Sequence, residues 1–438
     1  MITFAINYGW KMRQIDFVMA YTQAPIEQDL YMDLPQGLDP ITGNRKDYVL
    51  KLKKNIFGQK QAGRVWNQFL TDKLRSIGFT PSNVDECVFY RGSTIFIVYV
   101  DDGLVFDLNG DNLDSFVEEL RGVDLNVEDQ GEPSDYVGVN INKGDDASYL
   151  FSQQALTDAI IKDVGLADTK RFKTVPAKSS QVLHAFPDSP KHHECFSWNY
   201  RSLIGKLNYL AQSTRPDILT AVHSAARFSQ DPRKEHGEAV MHIAMYLNKT
   251  RDKGLRFRPN PARGFECYVD ADFAGLWNAN YARDDISTAK CRAGWTIFYA
   301  GCPIISVSKL ISQIALSTTE AEYIALSMAL RDVIPIMQLV EEIKARGFPV
   351  ICDIPDIYCK TFEDNSGALE LARLPKLRPR TKHINQCYHH WRSFARQGLI
   401  RFYPIDTLDQ PADALSKNLP QNLFEKHRET LLGESSPS

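Results

Sequence analysis

Two sets of carboxylates in this 438-residue chain have the residue types and spacing of two-metal phosphoryl-transfer sites. Nucleotidyl transfer and phosphodiester hydrolysis both require charge to be neutralised on a pentavalent phosphorus and an oxygen nucleophile to be activated. Two divalent ions about 4 Å apart do both, and Mg²⁺ favours carboxylate oxygens in sites that keep water and substrate oxygens as ligands. Mn²⁺ suits the same oxygens, again with two ions per site. Three or four acids must then converge at strand ends. The first set is Asp101 and Asp102, followed by Gly103, together with Asp16 in Gln14-Ile15-Asp16-Phe17. The second is Asp270, Glu322, Asp364 and Asp413. Two acids compete for the helical place in the second set. Ser317-Thr318-Thr319-Glu320 fits a capping box, which gives Glu320 a structural task and leaves Glu322 as the better ligand. Asp272 follows Asp270 at strand spacing and projects to the same face.

The elements around these acids are legible. Residues 95–100 are a β-branched and aromatic run, and residues 104–106 resume it. Asp101-Asp102-Gly103 between them reads as a hairpin turn that carries two carboxylates at its tip. Residues 154–165 have helical apolar spacing (Leu156, Ile160, Ile161, Val164) and close on Gly165. Residues 171–198, with Pro176, Pro187 and Pro190, read as a linker. From 200 to 255 the pattern is mainly helical, broken at Arg215-Pro216-Asp217, with a soft boundary at Pro259-Asn260-Pro261. Three strand-like runs follow (265–269, 294–299, 304–307), then a helix from near Ser317, then a strand over 357–362 ending at Glu363-Asp364. The order β-β-β-α-β-α emerges.

Hydrophobic residues form 43% and charged residues 24% of the chain, the balance of an ordinary folded protein. There is no run of 18 apolar residues and no signal-peptide pattern at the N-terminus, so an intracellular, cytoplasmic address without membrane contact is expected, with nuclear entry open. The eight cysteines form no CxxC pair and read as small buried hydrophobes. His192-His193-Glu194-Cys195 has metal-like composition but lacks a second half, and reads as a polar loop. The net charge is −3, yet cations are segregated. Residues 48–71 hold five Lys or Arg and no acid, and residues 371–401 hold eight and no acid. Such runs suggest phosphate-contacting surfaces.

The ordered blocks identify a family. Tyr99-Val100-Asp101-Asp102 resembles the signature of copia-type retrotransposon reverse transcriptases. Leu34-Pro35-Gln36-Gly37, Phe57-Gly58-Gln59-Lys60-Gln61-Ala62-Gly63-Arg64-Val65-Trp66 and Asp85-Glu86-Cys87-Val88-Phe89 agree with it. Tyr200-Arg201-Ser202-Leu203-Ile204-Gly205 and Thr214-Arg215-Pro216-Asp217-Ile218 resemble the family's connecting region. Asp270-Ala271-Asp272, Ser317-Thr318-Thr319-Glu320-Ala321-Glu322-Tyr323, Asp364-Asn365-Ser366, Arg380-Thr381-Lys382-His383-Ile384 and Ala412-Asp413 resemble its ribonuclease H blocks, in the same order. The resemblance implies an α/β (α+β) chain: a polymerase palm over 1–145, a helical thumb and connection region over 146–262, a ribonuclease H-like domain over 263–420 and a tail over 421–438. Asp16, Asp101 and Asp102 would hold the polymerase metals, and Asp270, Glu322, Asp364 and Asp413 those of the hydrolase. Tyr21 matches the aromatic that screens the sugar 2′-hydroxyl, and Phe57 and Gly58 the segment packed on the incoming nucleotide. Lys60, Arg64, Arg380, Lys382 and His383 would face nucleic acid. The implied partners are an RNA template, a DNA primer, dNTPs and an RNA–DNA hybrid.

Departures from the family pattern are Gln59 for Leu, Gly63 for Pro and Asn385 for Asp. The chain also begins fifteen residues before Asp16, where the family places its fingers. A polymerase lacking its fingers and a hydrolase with a full acid set are therefore expected. A ribonuclease H activity alone, or a non-catalytic nucleic-acid-binding remnant, are the alternatives.

Overall fold

The computed structural model describes residues 1–40, 42–144, 146, 148–179, 181–281, 285–351, 357–374 and 386–435. The chain divides into two compact units, residues 8–137 with Met1, and residues 2–7 with 138–438.

The first unit is built on six antiparallel strands: β1 (Lys11–Phe17), β2 (Thr80–Pro81), β3 (Val88–Arg91), β4 (Thr94–Tyr99), β5 (Asp102–Asp107) and β6 (Val127–Gly131), in the order β2-β3-β4-β5-β1-β6. Helices α1 (Ala62–Ser76) and α2 (Leu113–Gly122) each bury one apolar stripe, Val65, Trp66, Leu70 and Leu74 on α1 and Leu113, Phe116, Val117 and Leu120 on α2. These meet Ile15, Phe17, Phe89, Phe96 and Val105 in one core. The Asp-Asp hairpin forms as expected, but its turn lies one step earlier. Tyr99 pairs with Asp102, so Val100 and Asp101 are the turn, and Gly103 is inside β5 opposite Ile15 and Val98. Val100 adopts φ 58°, an uncommon conformation for a β-branched residue. The Trp66 indole N–H holds it by donating to the Val100 carbonyl at 2.6 Å.

Gly103 is required for packing rather than turning. A Cβ there would lie 2.7 Å from Ile15 Cγ1 and 2.7 Å from Phe96 Cε2, both in the core. Gly103→Ala is expected to destabilise the first unit by about 1–3 kcal/mol through overpacking. A urea denaturation midpoint equal to that of the wild type would refute this.

The second unit contains a five-stranded sheet of β7 (Phe265–Asp272), β8 (Arg292–Tyr299), β9 (Cys302–Leu310), β10 (Cys359–Glu363) and β11 (Ile400–Pro404). The order is β9-β8-β7-β10-β11; β7, β8 and β9 are antiparallel, whereas β10 and β11 run parallel to β7 and to each other. Its helices include α3 (Gln154–Asp163), α4 (Tyr200–Ser213), α5 (Leu219–Ala226), α6 (Lys234–Lys249), α7 (Thr318–Ala345), α8 (Ser366–Arg373) and the short α9 (Asp413–Ser416). The order β7-β8-β9-α7-β10-α8 is the one expected. Strand β11 is not among the expected elements: it is short, begins at the end of the basic run and closes on Pro404, so strand alternation is faint there.

Helix α7 packs on β7 and β8. An 18-residue window of it has mean hydropathy 1.4, long and apolar enough to cross a bilayer, and burial against the sheet accounts for that composition. Helices α3 to α6 share a second core with Ile160, Leu207, Val222, Ile243 and Leu247. Helix α3 closes at Gly165 with φ +72°, as its sequence predicts. The His192–Cys195 segment is a one-turn helix rather than a polar loop. His192 is buried there, with its ring 4.2 Å from Trp198 between centroids, and acts as a core residue.

Candidate functional site

The second set of acids converges. Strand β7 ends just beyond Asp270, and the parallel register pairs Tyr268 with Phe362, so Asp270 and Asp364 each follow two residues later, side by side at the ends of adjacent strands. Glu322 comes from the first turns of α7, and Asp413 opens α9. The segment before Asp413 is pinned to β7 by the Gln410 side-chain amide, which donates to the Val269 carbonyl at 2.9 Å. Ligand oxygens of Asp270, Asp364 and Asp413 all lie within 4.8 Å of one another, as do those of Glu322, Glu363 and Asp364. Asp364 is common to the two groups, and the Thr407 hydroxyl donates to it at 2.7 Å.

Glu363 was missing from the sequence-derived set. Cys359, Thr361 and Glu363 alternate inward along β10, and that period-two pattern, extended one residue past the expected strand end, would have found it. Glu320 has a structural role, as expected, in altered form. The Ser317 hydroxyl accepts the Glu320 N–H at 3.2 Å, and the Glu320 carboxylate accepts the N–H of Leu316 at 2.7 Å, one residue before the cap. Asp272 is half-buried and belongs to neither three-acid group.

Burial, then the charges of neighbouring acids, push the Glu322 carboxyl well up, Glu363 contributing the most of those charges and Asp270 the next. Burial also drives Glu363 well up, with Asp364 and Asp270 adding to it and the Asn365 N–H opposing. Asp413 is pushed up to about 8 by burial and then by Asp270. Lys417 is the counter-charge, 3.0 Å from Asp413 and 3.7 Å from Asp270. Burial disfavours its ammonium, but these two carboxylates outweigh that and hold its pKa above the ordinary range. Glu322 Oε2 and Glu363 Oε2 are buried with no hydrogen-bond donor. Unsatisfied buried carboxylate oxygens are costly, and a hard divalent cation is the partner such oxygens fit.

The first set gathers by register. Asp16 on β1 lies opposite Asp102 on β5, and the Asp101 carbonyl accepts the Phe17 N–H at 2.8 Å. Burial, then Asp101 and Glu128, push Asp16 up; burial, then Asp101, Asp16 and Asp135, push Asp102 up. Glu128, opposite Asp16 on β6, and Asp135 are additions that the sequence did not single out. Among the described residues, the three-acid groups with ligand atoms within 4.8 Å are both in the second unit.

Tyr21 and Phe57 come together with ring centroids 4.7 Å apart, Phe57 largely exposed. Gly58 has φ +90° beside open space. Lys60 is exposed, whereas Arg64 pairs with Glu27 at 2.5 Å and Lys51 with Asp29 at 2.6 Å. The first basic run is therefore partly neutralised by acids from an earlier segment. Arg380, Lys382 and His383 lie outside the described residues. In the second basic run, Arg392 donates to the Leu371 and Leu374 carbonyls at the end of α8, and Arg373 to the Phe402 carbonyl. These two arginines join α8 to β11 and to the segment around Arg392.

Residues 1–178 match the reverse transcriptase (RNA-dependent DNA polymerase) family. The chain is similar to the retrovirus-related Pol polyprotein from transposon RE1 of Arabidopsis thaliana, 31% identical over 96% of this chain and 27% of that protein. It is 29% identical to the one from transposon TNT 1-94 of Nicotiana tabacum, over 98% of this chain and 31% of that protein. A putative transposon Ty5-1 protein of Saccharomyces cerevisiae is 26% identical over 73% of this chain and its own full length. The chain thus spans less than a third of the two plant polyproteins. Its first part is a reverse transcriptase domain, and the chain belongs to the copia-type retrotransposon Pol polyproteins.

Proposed function

We propose that the first unit is a polymerase palm for RNA-directed DNA synthesis and that the second unit carries, after a helical thumb and connection region, a ribonuclease H-like hydrolase. The observation that carries the hydrolase reading is the convergence of Asp270, Glu363 and Asp364, at the ends of parallel strands, with Glu322 of α7 and Asp413 of α9, with two buried carboxylate oxygens lacking donors. Divalent ions bound there supply Lewis-acid stabilisation of the phosphoryl oxygens and a lowered pKa for an attacking water. Asp270, Asp364 and Asp413 would hold one ion, and Glu322, Glu363 and Asp364 a neighbouring one. In the first unit Asp16, Asp101 and Asp102 would hold the polymerase ions, Mg²⁺ or Mn²⁺. The Tyr21–Phe57 ring pair would form an apolar wall against the sugar of an incoming dNTP, excluding a 2′-hydroxyl. RNA template, DNA primer and RNA–DNA hybrid are the substrates of this reading.

Primer extension on an RNA template tests the polymerase half. Where the wild-type chain extends the primer, Asp101→Asn/Asp102→Asn is expected to lose at least ~10³-fold in rate, about 4 kcal/mol of transition-state stabilisation. Equal extension by both proteins would remove the hairpin acids from the chemistry. No extension by a folded wild-type chain would leave hydrolysis as its activity.

A further inference from the structure

A cleft of about 560 Å³ in the second unit lies among α4, α5, β8 and β9 and is lined by Asn208, Gln212, Arg227, Arg292, Ser308 and Lys309, with no carboxylate among its described lining residues. Arg292, at the start of β8, is only 3% exposed, yet its partners are hydroxyls: Ser308 Oγ at 3.2 Å and Ser224 Oγ at 3.4 Å. The same unit shows what a buried guanidinium ordinarily finds, since Arg215 is held by both oxygens of Asp217. Arg227 donates to Ser287 and lies 3.7 Å from Asp285, while its Nη1 is buried without a partner. Burial, and then the charge of Arg227, push Arg292 down to about 10, against the opposing pull of Asp272. Lys309 is exposed at the rim, with Asp332 within its field. Two guanidiniums held close to one another, one of them buried on hydroxyls alone, leave the cleft short of negative charge.

Arg292 also borders a smaller cavity, of about 280 Å³, that it shares with Asp272, Ser416 and Lys417. Ser416 donates to Asp270, and Lys417 pairs with Asp413, so this cavity adjoins the acid cluster. The cations Lys417, Arg292, Arg227 and Lys309 thus lead away from the cluster into the cleft. A nucleic-acid strand positioned for cleavage at the acids carries a phosphate at every nucleotide, and Arg groups bind such oxyanions by paired hydrogen bonds.

We propose that this cleft is a phosphate-binding site that holds a backbone phosphate of the nucleic acid cut at the acid cluster. The inference rests on the hydrolase reading, and the test separates the two. Binding of a 20-base-pair RNA–DNA hybrid is measured by fluorescence anisotropy in Ca²⁺ over a series of salt concentrations, for the full chain and for Arg227→Gln and Lys309→Gln. Each variant is expected to bind about tenfold more weakly and to lower the salt slope by about 1, whereas Lys249→Gln on α6 leaves both unchanged. Lys309 is at the surface, so its variant keeps the test independent of folding. In parallel, inorganic phosphate is expected to raise the melting temperature of the wild-type chain but not of Arg227→Gln. Hybrid affinity and slope equal to wild type in both variants would overturn the site. A phosphate response that needs Arg227, in a chain that binds no hybrid, would keep the site and overturn the hydrolase reading instead.

Discussion

Asp270→Asn is expected to slow cleavage of RNA in an RNA–DNA hybrid by at least ~10³-fold, about 4 kcal/mol, while raising the melting temperature of the metal-free chain. The two effects have one cause. Asp270 contributes to the upward shift of Glu322, Glu363, Asp364 and Asp413, so its charge is the common repulsive partner of the cluster. For an acid whose folded pKa is raised, the favourable contribution is present below the unfolded value, near 4, and is lost as pH rises through the folded value. For Asp413 that value is about 8. The metal-free second unit therefore loses stability across pH 4 to about 8, and removing the Asp270 charge relieves its neighbours. Asparagine keeps the shape and can still accept the Ser416 hydroxyl. His427 titrates in the opposite sense: burial pushes it down to about 4, so its contribution is lost as pH falls from its unfolded value of about 6.5. The comparison is accordingly made at a fixed pH of about 8. Mn²⁺ should raise the melting temperature of the wild type there, and that of the variant much less. A variant that melts below the wild type without metal, or that responds equally to Mn²⁺, would show that Asp270 is not the centre of the repulsion.

Much of this site could be read from the sequence because catalytic acids at strand ends interrupt apolar runs. Asp270 and Asp364 follow long β-branched or aromatic stretches, and Glu322 stands just beyond a cap set by Ser317. Asp413 has no such local signal; it was found through its place in an ordered set of family blocks. Glu363 was overlooked because one acid per strand end satisfied the pattern, and only the inward period of β10 distinguishes it. Glu128 and Asp135 sit in polar strands that a hydrophobic pattern does not mark. The hairpin shows a different limit. Asp-Asp-Gly has turn composition, but Gly103 is needed because Ile15 and Phe96 close on its α-carbon, a contact between residues far apart in sequence. The basic runs show the same limit: Arg64 and Lys51 pair with Glu27 and Asp29, which precede the first run, and Arg392 donates to the Leu371 and Leu374 carbonyls inside the second, contacts that a charge count along the chain does not mark.

Asp217→Ala is expected to destabilise the second unit by about 3–5 kcal/mol, the cost of leaving a buried charge without its partner. The break between α4 and α5 reads in sequence only as Arg-Pro-Asp, a helix stop. In the fold it is a closed polar network. Side chains of Arg215 and Asp217 are 1% and 0% exposed. Arg215 Nε and Nη2 donate to the two Asp217 oxygens at 2.9 and 2.8 Å, and its remaining donors reach the Thr250 carbonyl at 2.8 Å and hydroxyl at 2.7 Å. The Tyr246 hydroxyl donates to Asp217 at 2.6 Å, joining α6 to the break. Each nitrogen of the guanidinium thereby has a partner, so truncating the acid strands a buried charge. Arg215→Met/Asp217→Leu removes both charges and is expected to cost far less than the sum of the two single changes, because the apolar pair leaves no buried ion behind. Tyr246→Phe, which removes one bond to a charged acceptor, should cost about 1.5–3 kcal/mol. Urea denaturation followed by helical circular dichroism measures the wild type, these three variants and the single changes Arg215→Met and Asp217→Leu. An Asp217→Ala loss below about 1 kcal/mol, or a double variant as unstable as the sum, would mean that water reaches this pair.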